Sequence, residues 1–131
     1  MTFVDSGAWF ALAVPTDVDH SAAVEWFAAN RDLLLTTDFV INETLTLFRA
    51  RGQSPRALAW GRAVFGGTLG TIHRVTDDQF ADAWDVFRTY VDKEWSFTDC
   101  TSKVVMESLG IATAFSFDQH FRQFGTVTVV P

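Results

Sequence analysis

The stretch LLLTTDFVINETLTLFRARG, residues 33–52, holds one complete strand-to-helix unit. It opens with three leucines bounded by polar residues, the pattern of a short parallel strand buried on both faces. Thr37 or Asp38 then offers a side-chain oxygen to the free N–H groups of a helix start. Residues 39–51 continue with helical spacing, and Gly52 supplies the stop. Glu43 lies inside that helix, with Phe39 and Leu47 at i−4 and i+4. It therefore projects from a partly apolar side, where a carboxylate needs a compensating charge.

The same alternation runs outward in both directions. Towards the N-terminus, Thr2-Phe3-Val4 reads as a strand ending at Asp5-Ser6-Gly7. Asp5 or Ser6 caps a helix over 8–14, stopped by Pro15. Asp19 precedes a helix over 20–30, with Val24, Phe27 and Ala28 on one face. Towards the C-terminus, Ser54-Pro55 opens a helix that runs to Phe65 and ends at Gly66-Gly67. Residues 71–75 have strand character. Thr76 and Gln79 fit a capping box, ahead of a helix carrying Phe80, Ala83, Trp84, Phe87 and Val91 at core spacing. After a loop at 94–98, Asp99 opens a helix to Leu109, closed by Gly110. Residues 111–117 and 126–130 complete the strands. Alternating strands and helices predict one α/β domain over 1–131, in three layers, with helices on both faces of a mainly parallel sheet. In such folds ligands gather at the C-terminal ends of the strands.

The composition narrows the class. A 131-residue chain with 48% hydrophobic residues, 13 Phe and 5 Trp carries an aromatic core, which excludes disorder. No apolar run reaches the ~20 residues of a membrane span, and the first residues lack the basic, apolar start of a signal peptide. The lone Cys100 permits no internal disulfide, so a cytoplasmic protein is expected. A net charge of −6 argues against passive nucleic-acid binding. It argues less if the acids hold cations, since two divalent ions would move −6 to −2.

Four acids stand out. Asp5 lies just past the first strand, Asp118 just past the strand at 111–117, and Asp99 at a helix start, so all three share one sheet edge. With Glu43 they would repel one another and raise each other's pKa values. A hard divalent cation with oxygen ligands resolves that repulsion and suits phosphodiester hydrolysis. The bland alternative is that each Asp is only a cap or turn residue. Spacing alone does not decide.

Four segments in order carry a resemblance: Phe3-Val4-Asp5-Ser6, Asp38-Phe39-Val40-Ile41-Asn42-Glu43-Thr44, Trp95-Ser96-Phe97-Thr98-Asp99-Cys100-Thr101-Ser102, and Phe115-Ser116-Phe117-Asp118-Gln119-His120-Phe121. The chain resembles the PIN-domain ribonucleases, and within them the VapC-type toxins of bacterial and archaeal toxin–antitoxin pairs. The resemblance spans first strand to last. It implies that Asp5, Glu43, Asp99 and Asp118 bind Mg²⁺ or Mn²⁺ and activate water to cut RNA. It also implies that Ser6, Thr98 and Ser116 support the acids or substrate. A homodimer and a small antitoxin that obstructs the metal site are implied as partners.

Arg49, Arg51, Arg56 and Arg62 hold four of the ten basic residues with no acid between them, and are the candidates for RNA phosphates. Trp60 among them stacks a base or, as the commoner role, packs in the core. His20, His73 and His120 lack zinc-ligand spacing; His120 is near enough to Asp118 to face the site. Cys100 reads as a buried helper. Competing readings are a PIN-like nuclease in RNA processing, a non-catalytic acidic binding module, and an Asp5 phosphatase. The last is weakened by Gly7, which breaks the Asp-x-Asp pattern.

Overall fold

The computed structural model describes all residues, Met1–Pro131. In chain order the elements are β1 (Thr2–Val4), α1 (Ser6–Ala13), α2 (His20–Ala29), β2 (Leu34–Thr37), α3 (Asp38–Ala50) and α4 (Ser54–Phe65). They continue with β3 (Thr71–His73), α5 (Asp77–Thr89), a 3-10 turn (Val91–Lys93), α6 (Phe97–Leu109), β4 (Thr113–Phe115), α7 (Gln119–Arg122) and β5 (Thr128–Val130). All four strand pairings are parallel, in the order β3-β2-β1-β4-β5. β1 is central: Thr2 faces Leu34 and Thr113, and Phe3 faces Leu35 and Ala114.

Because the chain moves outward through β2 to β3 and then returns past β1 to β4, right-handed crossovers send its helices to opposite faces. Side chains agree with that rule. Trp26 of α2 lies on Phe115, ring centroids 4.2 Å apart, and Trp9 of α1 donates its indole N–H to Thr36. On the other face, Phe121 of α7 meets Phe3 at 6.0 Å. Beneath α1 and α3, Trp9, Phe10, Phe48 and Trp60 interlock at 5.4–6.0 Å. No helix is long and apolar enough to cross a membrane.

The caps explain where helices begin. Thr37 accepts from the Val40 N–H, and Thr76 with Gln79 forms both halves of its capping box. Several boundaries differ from those read off the sequence. Asp99 does not open α6; Ser96 caps it and Asp99 sits three residues in, forming a capping box with Ser96. The strand expected over 33–35 slides to Leu34–Thr37, since Thr36 and Thr37 pair with Ile72 and His73 and leave Leu33 exposed. The strand over 111–117 shrinks to Thr113–Phe115, and the short α7 appears after it.

Two apolar faces also turn outward. In α2, Ala23 and Trp26 pack inward, whereas Val24 and Phe27 are exposed. In α5 Ala83 packs inward as expected, but its inward companions are Gln79 and Val86 rather than the aromatic residues of the expected stripe. Phe80, Trp84 and Phe87 are 51%, 54% and 41% exposed. Phe80 and Phe87 each meet Phe97, and Trp84 stacks on Phe87, instead of filling the core.

A candidate metal centre at the sheet edge

β1 and β4 are neighbours whose outgoing connections depart to opposite faces, which opens a crevice at their C-terminal ends. Asp5 stands at that edge as the N-cap of α1. One carboxylate oxygen accepts the Ser6 N–H at 2.8 Å, and the other accepts the Ser116 hydroxyl at 3.1 Å. Ser116 follows β4 directly, and its oxygen also receives the Asp118 N–H at 3.0 Å. Asp118 caps α7 by accepting the His120 N–H at 2.9 Å. Asp99 arrives on the first turn of α6, its Oδ2 accepting the Ser96 N–H at 3.1 Å. Glu43 reaches the same edge from α3 and accepts the Ser6 hydroxyl at 2.5 Å.

The electrostatics follow from this crowding. Asp5 is 4% exposed, and its pKa is pushed from 3.8 to about 7. Burial is the largest cause, with the Asp99 charge next and Glu43 adding to it. The Ser6 N–H and the Ser116 hydroxyl oppose the rise without cancelling it. No Lys or Arg forms an ion pair with Asp5, Glu43, Asp99 or Asp118. Only His120 approaches, with Nδ1 2.9 Å from Asp99 and 3.6 Å from Asp118.

The supporting residues sort themselves by contact. Ser6 links to Glu43, and Ser116 links to Asp5 and Asp118. Thr98 contributes its backbone carbonyl, which takes the Thr101 and Ser102 hydroxyls at 2.6 and 3.0 Å; its own hydroxyl has no protein partner. Beside the acids lies a cleft of about 270 Å³ whose wall includes Asp5, Asp118, Arg51 and Phe10. It also includes Asp17 and Asp19, loop acids whose spacing carries no motif. Of the four arginines, Arg51 alone lines this cleft, its guanidinium 5.9 Å from the Phe10 ring centroid. Arg56 is held by Gln53 and the Ala13 carbonyl, and Arg49 and Arg62 point to solvent.

The remaining candidates are structural. Trp60 is buried against Trp9 and Phe48, out of reach of a base. His20 bonds the Ala11 carbonyl and His73 bonds Gln79. Burial first, and then the Asp99 charge, push the Cys100 thiol up to about 11, so it is no thiolate.

The donor set suits a hard divalent cation. Potential ligand atoms of Asp99, Asp118 and His120 lie within 4.8 Å of one another; Asp5 and Glu43 stand outside that group, and Asp5 couples to it through the Asp99 charge that helps raise its pKa. Carboxylate oxygens gathered without a protein cation are what Mg²⁺ or Mn²⁺ coordination requires.

Comparison with known proteins supplies the lineage. The PIN domain model matches residues 2–127. The 23S rRNA-specific endonuclease VapC20 of Mycobacterium tuberculosis is 34% identical over 131 residues, covering 100% of this chain and 99% of that protein. A VapC ribonuclease of Archaeoglobus fulgidus is 32% identical over 124 residues, covering 90% of this chain and 77% of that one. Among solved structures, the M. tuberculosis VapC20 crystal structure, titled a sarcin-ricin loop cleaving toxin, superposes with a TM-score of 0.92 at 33% identity over both full chains. FitAcB from Neisseria gonorrhoeae matches at a TM-score of 0.67 and 12% identity, covering 100% and 97%, a likeness of fold alone. A family model matched over nearly the whole chain and a full-length relative at 34% identity show that the chain belongs to the PIN domain family.

Proposed function

We propose that this protein is a divalent-cation-dependent endoribonuclease, the toxin of a VapBC-type toxin–antitoxin pair, acting as one domain over residues 1–131. The observation that carries the reading is the crowding of Asp99 and Glu43 about the buried Asp5. Such a cluster repels itself unless positive charge joins it. Full-length likeness to a 23S rRNA-specific endonuclease directs that chemistry to RNA, and makes a ribosomal RNA loop the substrate to try first. A small antitoxin, a second copy of the chain and a cytoplasmic setting complete the proposal.

Asp5, Glu43, Asp99 and Asp118 would hold the ion, Mg²⁺ or Mn²⁺ by the hardness of the oxygen donors. When bound, it acidifies water and offsets charge developing at the phosphate. The chain's own groups prepare that site. Ser6 steadies Glu43, while Ser116 steadies Asp5 and fixes the turn that carries Asp118. Arg51 on the cleft wall is placed to take a backbone phosphate, in keeping with phosphate contacts that position RNA. Arg49, Arg56 and Arg62 extend the basic band along α3 and α4.

Inducible expression of the chain and of Asp5→Ala, followed by sequencing of RNA 5′ ends, tests the reading. Growth arrest with new 5′ ends is expected for the native chain and neither for the variant. Equal arrest and equal ends with both would overturn it. With purified protein, cleavage of RNA in Mg²⁺ and none in EDTA is expected; preference for DNA would turn the assignment to another branch of nuclease chemistry.

A further inference from the structure

His120 lies two residues past Asp118 on α7, with its side chain 24% exposed. Its backbone N–H reaches Asp118 Oδ1 at 2.9 Å, and its ring Nδ1 reaches Asp99 Oδ2 at 2.9 Å. Asp99 Oδ2 also accepts the Ser96 N–H at 3.1 Å, so two donors converge on one oxygen and Oδ1 receives none. Asp118 repeats the pattern: Oδ1 is engaged by His120 and Oδ2 receives no bond. A carboxylate only accepts, so the nitrogen facing Asp99 carries hydrogen, and the other ring nitrogen lies on the far edge of the imidazole.

We propose that His120 is a positioning residue that pins the protein-side oxygens of Asp99 and Asp118 and leaves Asp99 Oδ1 and Asp118 Oδ2 for the cation. The inference rests on the metal reading above and adds a residue to it. His120 joins α6 to α7 across 21 residues of chain, and so sets the spacing between two acids that no other side chain links. Nδ1, which donates its hydrogen to Asp99, has no lone pair for a metal, so through this nitrogen His120 orients an acid rather than holding the ion. Outer contacts of this kind set cation affinity by about 10–100-fold.

The test uses the full chain without RNA. Mn²⁺ is titrated calorimetrically into the native protein, His120→Phe and His120→Asn, with melting temperatures taken in cation-free buffer. His120→Phe keeps an aromatic ring and loses the donor; its Mn²⁺ affinity is expected to fall about 10–100-fold. His120→Asn places an amide N–H where the ring Nδ1 stood and is expected to recover most of that loss. Native-like affinity in His120→Phe, or no recovery in His120→Asn, would overturn the proposal. Pulsed electron paramagnetic resonance of Mn²⁺ on the native chain checks it without any variant. No directly coordinated nitrogen is expected, and a strong ¹⁴N coupling would make His120 a ligand and overturn the positioning role. A native chain that takes up no Mn²⁺ overturns this inference together with the metal reading. A chain that binds Mn²⁺ yet leaves RNA intact overturns the nuclease reading alone.

Discussion

Two aspartates at opposite ends of β1 show how differently one residue type is treated in this molecule. Asp32, below the N-terminal end, accepts from the Met1 amine at 2.8 Å, the Thr2 hydroxyl at 2.8 Å and the Leu33 N–H at 3.0 Å. Those donors, the chain amine foremost, hold its pKa below the usual carboxylate value. Asp5, past the C-terminal end, is buried beside Asp99 and Glu43 and is pushed up to about 7. One end of the strand matches each acid with a donor and so contributes to stability. The other gathers acids and leaves them short of positive charge, an arrangement that folding alone would not favour and that marks a functional edge.

The contrast is broken most sharply by removing a single negative charge from the crowded end. Asp99→Asn keeps an acceptor for the Ser96 N–H, so α6 retains its cap. RNA cleavage, measured on purified protein in Mg²⁺, is expected to fall by about 10²–10³-fold or more, with circular dichroism unchanged. Cleavage at the native rate would separate Asp99 from the chemistry.

Stability should move the opposite way. An acid whose folded pKa lies above its unfolded 3.8 keeps a proton that the unfolded chain has lost. Stability therefore declines as pH rises from about 4 to about 7, and the full penalty persists above that window. Three pH units at about 1.4 kcal/mol each set that penalty at roughly 4 kcal/mol. Asp5→Asn, which still accepts from Ser6 and donates to Ser116, is expected to gain up to roughly this amount at alkaline pH in cation-free buffer. It gains nothing below the window. Urea melts across pH read it directly, and a variant weaker than native at alkaline pH would contradict the account of Asp5.

The smallest effect sharpens the comparison from the matched end. Asp32→Asn removes a carboxylate with a lowered pKa, so native stability exceeds the variant's at neutral pH. That advantage fades as pH drops through the folded pKa, and the two curves merge in acid. Thermal melts at matched pH values show this, and RNA cleavage should be unaffected.

Much of this frame is legible in the residues themselves, because caps and parallel strands are local chemistry. Thr37 ahead of residues 38–50, Pro55 at a helix start, and the Thr76–Gln79 pair each declare a helix without help from the rest of the chain. Ser96 is as local a signal, since Ser-x-x-Asp followed by an apolar run is the same box, and it sets the start of α6 ahead of Asp99. Other features depend on long-range packing. Phe80, Trp84 and Phe87 share a face whether or not anything covers it, and only the packing of α5 decides that they stay exposed while Ala83, readable as core from its spacing, goes inward. Asp17 and Asp19 join the cleft because the loop after α1 folds back towards β4, which no spacing encodes. α7, at four residues, is too short to show a period. The family likeness implies the meeting of Glu43, Asp5 and Asp99, while the hydroxyl of Ser6 bridging towards Glu43 explains how the helical acid is held there.

The sealed position of Cys100 has a practical outcome for studying this molecule. The chain has no second cysteine, and this one is solvent-inaccessible with its thiol protonated at working pH. A cysteine engineered at an exposed point of α5 or of the cleft rim would therefore be the sole address for a maleimide dye or spin label. Distances and arrivals at either surface become measurable on an otherwise native background.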